Sequence, residues 1–172
     1  LHCCDFAERL AYSIIPPLKG GMIVLADRYM YTAFARDVAR GVSREWVRGM
    51  YSFAPKPDIA YYFQITPEVS VERILTGRPQ LKYYEAGLDV MDTDDPVESF
   101  GLFQGAIVNE YDAMVDEFGL SVIDGTRPIY TQQQEMRAIM AEKLDDYLTR
   151  SVPPRRGSTA RRRTPAKAST AK

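Results

Sequence analysis

Apolar and polar positions along the chain change period several times, and each change marks an element. Phe6, Leu10, Ile14 and Leu18 recur four apart within residues 1–19, one face of a helix that Pro16-Pro17 is expected to end or kink. Lys19-Gly20-Gly21 reads as a turn, and MIVLA at 22–26 is a continuous apolar run of the kind found in strands covered on both faces. Asp27-Arg28-Tyr29 follows at once, and a helix is predicted from there to about Ala39, with Gly41 breaking it. Ser43 can cap a short helix carrying Trp46, Val47 and Met50, with Glu45 in its first turn. After Pro55-Lys56-Pro57 a second apolar strand is predicted over 59–65. Thr66 is the next cap and Pro67 the first residue of a helix through Val71 and Ile74. Residues 76–96 are rich in Gly, Pro, Asp and charge, a long loop of the sort kept for function. A helix over about 96–118, a third strand at 120–123 and a last helix over about 129–148 complete the order. The last carries Met136, Ile139, Met140 and Leu144 along one face.

Apolar strands alternating with helices predict an α/β fold, a parallel sheet with helices on both faces. In such sheets ligands gather beyond the carboxyl ends of strands. That places Asp27-Arg28, Thr66 to Glu68, and Asp124 to Thr126 where a site would form.

Composition adds a boundary. The 172 residues hold 22 Lys+Arg against 23 Asp+Glu, but the balance is uneven. Residues 151–172 carry Arg155, Arg156, Arg161, Arg162, Arg163, Lys167 and Lys172 and no acid, which leaves the preceding 150 residues a net charge of −8. The expected organisation is therefore a domain over 1–148, with a lid at about 76–95, and a disordered basic tail over 149–172. The tail has no aromatic side chain to stack on a base, so no specific nucleic-acid role is expected. It reads as a solubility segment or one that touches the acidic body. No apolar run has the length of a membrane span. Cys3 and Cys4 are adjacent and build no disulfide framework, so a cytoplasmic setting is expected. With His2 they make too few ligands for zinc and read as small buried helix residues. The first residue is Leu and not Met, from which the chain is expected to be a fragment whose N-terminus lies upstream.

Asp27-Arg28 is the most informative pair. A carboxylate at a strand end can hold a metal-bound water or orient a base, and the neighbouring guanidinium offers a planar fork to a phosphate. The plain alternative is an Asp–Arg ion pair. Arg9, Arg36, Arg40, Arg78 and Lys82 are further cations in an otherwise acidic body, as a polyanionic substrate would favour. Arg78 and Lys82 lie between Gly77 and Gly87, as in a mobile lid that closes over transferring phosphates.

Three stretches together carry a resemblance: GGMIVLADRYMYTAFARDVARGV, then PDIAYYFQITPEVSVERI with the charged loop, and finally FGLSVIDGTRPI. Over roughly residues 1–145 the chain resembles thymidylate kinase, a P-loop nucleoside monophosphate kinase. The resemblance implies transfer of the γ-phosphoryl group of ATP, with Mg2+, to dTMP, in a homodimer. It implies that Arg28 grips the acceptor phosphate and that Asp27 lies beside the transferring phosphate and the magnesium shell. Arg9 would contact the base, with Phe6 the nearest aromatic to stack on it, and Arg78 and Lys82 would be lid cations at the ATP phosphates. Tyr29, Thr32 and Arg36 would complete the acceptor site. After DRY the family usually has small polar residues and then a Tyr. Here Ala33 has no hydrogen-bonding group and Arg36 stands where an aromatic would gate the sugar.

No G-x-x-x-x-G-K-[ST] occurs in the 172 residues, so the fold is expected to be incomplete at the N-terminus and to bind ATP poorly by itself. Strands 22–26 and 59–65 would flank a gap, with apolar faces exposed and aggregation favoured. Two alternatives are a related P-loop kinase for another nucleotide or nucleoside, and a kinase-derived module that binds without catalysing.

Overall fold

The computed structural model describes residues 1–77 and 80–151, with side chains through Asp145. Residues 1–136 form one compact unit, and a second begins at Arg137 within the last helix. The elements run α1 (His2–Arg9), a π-helical turn (Leu10–Ile14), α2 (Ile15–Lys19), α3 (Met30–Ala39), α4 (Arg44–Met50), β1 (Tyr61–Gln64), α5 (Pro67–Gly77), α6 (Tyr83–Ala86), α7 (Pro96–Phe118), β2 (Ser121–Asp124) and α8 (Ile129–Ser151).

The two strands pair in parallel, Tyr61 opposite Ser121 and Gln64 opposite Asp124, with α5 to α7 forming the crossover that parallel strands require. Tyr62 is buried on one face of this ribbon and Ile123 on the other, so both faces are partly covered. The expected boundaries hold closely for α7, where Asp95 Oδ1 accepts from the amides of Val97 (2.8 Å) and Glu98 (3.3 Å). Gly119 ends the helix in the left-handed region at φ 68°. Ser43 and Thr66 cap α4 and α5 as their positions predict. α8 runs past the expected 148 to Ser151; the rest of the basic tail lies outside the described residues.

Two expectations are corrected and a third holds in part. Residues 22–26 form no strand: Met22, Ile23 and Leu25 are 59, 64 and 80 % exposed. A strand's amides and carbonyls need a neighbouring strand, and the described sheet consists of β1 and β2 alone. Of the two outcomes expected of Pro16-Pro17, an end to the first helical stretch is not seen, whereas its regular α-helical course is interrupted just before them. The π-helical turn precedes the prolines, which sit at the start of α2, where an absent N–H costs least. Cys4 is exposed; only Cys3 is partly buried, its Sγ 3.5 Å from the Met50 carbonyl.

The core is largely aromatic. Phe6 meets Tyr29, Tyr51 and Phe53, while Phe34 meets Tyr51 and Phe118. Phe103, Ile107 and Met114 form the inward face of α7. Burial of each large apolar side chain contributes about 1.5–3 kcal/mol. The consequence for the site is positional: α1, α3 and α7 are welded by this core, so polar residues on their rims hold fixed places. Among the described residues, no helix is long and apolar enough to cross a membrane.

Candidate functional site

The run at 22–26 delivers the chain to Asp27-Arg28, and Tyr29 opens α3. Arg28 has φ 53° and is, among the described residues, the one non-glycine with positive φ. That conformation costs an L-residue about 1–2 kcal/mol, and such strain gathers at functional positions. Tyr29 anchors the turn: its hydroxyl donates to the Pro55 carbonyl at 3.0 Å and its ring packs edge-on against Phe6. The plain alternative for Asp27-Arg28 does not occur, because neither side chain forms an ion pair or hydrogen bond among the described residues, and both are exposed.

α3 and its C-cap then present Thr32, Arg36 and Arg40, four residues apart, toward α7. Thr32 Oγ1 and the Tyr111 hydroxyl are 3.0 Å apart. The Arg36 and Arg40 guanidinium carbons lie 5.7 and 4.3 Å from the centre of the Phe103 ring. Tyr111 in turn stacks on Tyr62 of β1 at 4.9 Å. Burial holds the Arg36 guanidinium below its ordinary pKa, and the charges of Arg40 and then Arg28 push it the same way. Arg36 and Arg40 thus share the Phe103 ring, and the charge of Arg28 acts on Arg36.

Arg40 has a different task from the other two. Its Nε donates to Asp89 Oδ2 (3.2 Å) and its Nη2 to the Tyr84 carbonyl (2.7 Å). These bonds tie α3 to the second half of the expected lid. Gly87 ends α6 at φ 77° so close to Phe103 that a Cβ there would lie 2.6 Å from the ring. The buried Ser99 hydroxyl donates to the Ala86 carbonyl at 2.8 Å. The segment from Tyr83 to Met91 is thus docked on α3 and α7, and Gly87 is a packing residue.

The remaining predicted residues have varied surroundings. Phe6 is 7 % exposed within the aromatic core. Arg9 pairs with Asp5 one turn earlier on α1. Lys82 is exposed at the N-cap of α6, with no partner among the described residues. Arg78 lies outside the described residues. Among the described residues, no hydrogen bond or ring contact joins the Arg9 or Lys82 side chain to Arg28, Arg36 or Arg40. Sequence reading missed Phe103, Tyr111 and Asp89; the spacing of Phe103, Ile107 and Tyr111 along α7 was the available signal.

At the other strand ends the polar residues build turns. Asp124 accepts from the Thr126 amide (2.9 Å) and hydroxyl and from Arg127 Nε (3.2 Å), which holds its carboxyl below the usual range. An open groove of about 590 Å³ between α5 and α7 is lined by Glu68, Glu98, Asn109 and apolar residues without a cation, so its chemistry does not suit a phosphate. Among the described residues, no group of three or more His, Cys, Asp or Glu could hold a metal. Asp27 remains as a lone free carboxylate beside the unpaired Arg28.

Comparison with known proteins matches residues 1–92 to the family model for thymidylate kinase. A probable thymidylate kinase 2 of Saccharolobus solfataricus is 41 % identical over 149 residues, covering 86 % of this chain and 70 % of that protein. A probable thymidylate kinase of Staphylothermus marinus is 39 % identical over 141 residues, 80 % of this chain and 64 % of the relative. One from Pyrococcus abyssi matches at 40 % over 73 residues, 42 % of this chain and 36 % of its own length.

Proposed function

This chain belongs to the thymidylate kinase family, and from that premise we propose that it carries the acceptor half of a kinase transferring the γ-phosphoryl group of ATP to dTMP. The supporting observation is the free Arg28, held at positive φ beyond an apolar run and beside an equally free Asp27. In this reading a dTMP phosphate oxygen attacks the γ-phosphorus, the bond to the β,γ-bridging oxygen breaks, and ADP leaves with that electron pair. Arg28 holds the acceptor phosphate in line, and positioning of this kind supplies much of the catalysis in phosphoryl transfer. In the same reading Lys82 supplies a cation for the transferring phosphates, as does Arg78, which lies outside the described residues. Arg9, Phe6, Tyr29, Thr32 and Arg36 border the nucleotide.

Asp27 suits magnesium, which takes one or two carboxylates and completes its shell with substrate phosphates and water. When bound, the ion would neutralise charge on the transferring group. The ATP cradle has to come from a P-loop, a motif these 172 residues do not contain. The family reading also carries a homodimer and a cytoplasmic setting.

In a protein carrying both a P-loop and these residues, Arg28→Ala should lower dTMP turnover by about a hundredfold or more. An unchanged rate would remove the site assignment. Ala33 and Arg36 favour a second reading, a sister kinase with another acceptor. Relative rates with dTMP, dUMP, dCMP and thymidine separate the two.

A further inference from the structure

We propose that Arg36 is a second grip on the acceptor's phosphate, acting beside Arg28 and making the site select phosphomonoesters over uncharged nucleosides. The proposal rests on the acceptor reading of the Arg28 site given above. Among the arginines with described side chains, six others are already engaged. Arg9, Arg40, Arg44, Arg48 and Arg127 pair with acids, and Arg73 donates to the Gly125 carbonyl. Among arginines with described side chains, Arg28, Arg36 and Arg137 alone have neither a hydrogen bond nor an ion pair. Of these, Arg28 is the one whose charge acts on Arg36.

Arg36 is also held in place. Thr32 and Arg40, one turn to either side, fix the register of α3 against Tyr111 and Phe103, so Arg36 lies between them over the Phe103 ring at 5.7 Å. An aromatic face orients a guanidinium while leaving its N–H donors free. The side chain is half-buried, and the positive charges of Arg40 and Arg28 weigh on it more than the negative charge of Glu85. A desolvated cation beside like charges is unfavourable unless an anion joins them. A phosphomonoester dianion matches two guanidinium forks in charge and in donor geometry. A nucleoside offers neither.

The test is calorimetric titration of the full chain with dTMP and with thymidine at two ionic strengths, for wild type, Arg28→Ala, Arg36→Met and Arg36→Lys. Arg36→Met should weaken dTMP binding about ten- to hundredfold, flatten its salt dependence and leave thymidine binding unchanged. Arg36→Lys, which keeps the charge and loses the fork, should fall between. If Arg36→Met melts early, Arg36→Lys alone carries the test, since dTMP must still weaken relative to thymidine. Arg36→Met binding dTMP within twofold of wild type, while Arg28→Ala loses it, would overturn the proposal and leave the acceptor reading standing. Equal losses for dTMP and thymidine would also overturn it, because Arg36 would then act through the fold or the base. Wild type and Arg28→Ala binding dTMP alike, or neither binding, would remove both readings.

Discussion

Asp124 ends a strand and Arg28 follows an apolar run, yet they behave in opposite ways. Asp124 spends its oxygens on the Thr126 amide and hydroxyl and on Arg127, so it closes a turn. Its depressed pKa follows first from the Thr126 hydroxyl and amide and then, more weakly, from Arg127. Because the folded value lies below the unfolded one, the associated stabilisation is present above the unfolded pKa and is lost as pH falls through the folded value. Thr126→Val should raise the Asp124 carboxyl toward the ordinary range, as read by carbon NMR titration; an unmoved midpoint would assign the shift elsewhere. Arg28 has no such local partners among the described residues and adopts a strained backbone, the combination on which its proposed phosphate role rests. DRY was legible as a motif in the sequence. Its freedom from an Asp27–Arg28 ion pair was not, since adjacent residues in the chain can equally pair or diverge.

Among the elements, α3 and α7 do most to organise the site. One face of α3 and its C-cap carries Thr32, Arg36 and Arg40, and the facing stripe of α7 carries Phe103 and Tyr111. The segment from Tyr83 to Met91 is held to this pair by Arg40, by the Phe103–Gly87 contact and by Ser99. Arg40→Ala removes two charge-assisted hydrogen bonds and the contact with Phe103. It should cost about 1–3 kcal/mol in urea unfolding and speed amide exchange over residues 83–91 more than over α7. Uniform acceleration would mean that Arg40 supports the whole unit and not this segment. Sequence patterning located α3, α7 and the loop between α5 and α7, because helix caps and four-residue spacing are local signals. It treated the whole loop as a mobile lid, because docking depends on Phe103 and Arg40, which are distant in sequence.

At the scale of the molecule, the exposed run Met22, Ile23 and Leu25 is an unfinished surface. Large apolar side chains gathered in one extended stretch invite association with another copy or with any free strand edge. Sedimentation should show concentration-dependent self-association, and Leu25→Lys should reduce it with little change in melting temperature; a monomer at all concentrations would refute this. The sequence by itself determined α3, α4, α5, α7 and α8, the Ser43 and Thr66 caps, the two strands that pair as β1 and β2, and the family, through motifs whose meaning depends only on neighbours in the chain. It overstated the sheet, since an apolar run becomes a strand only where another backbone meets its hydrogen bonds. Only the tertiary structure decided which cations are spent on acids and which stay free, and that Phe103 underlies Arg36 and Arg40. Charge pairing and desolvation are set by distances across the fold, and spacing along the chain does not encode them.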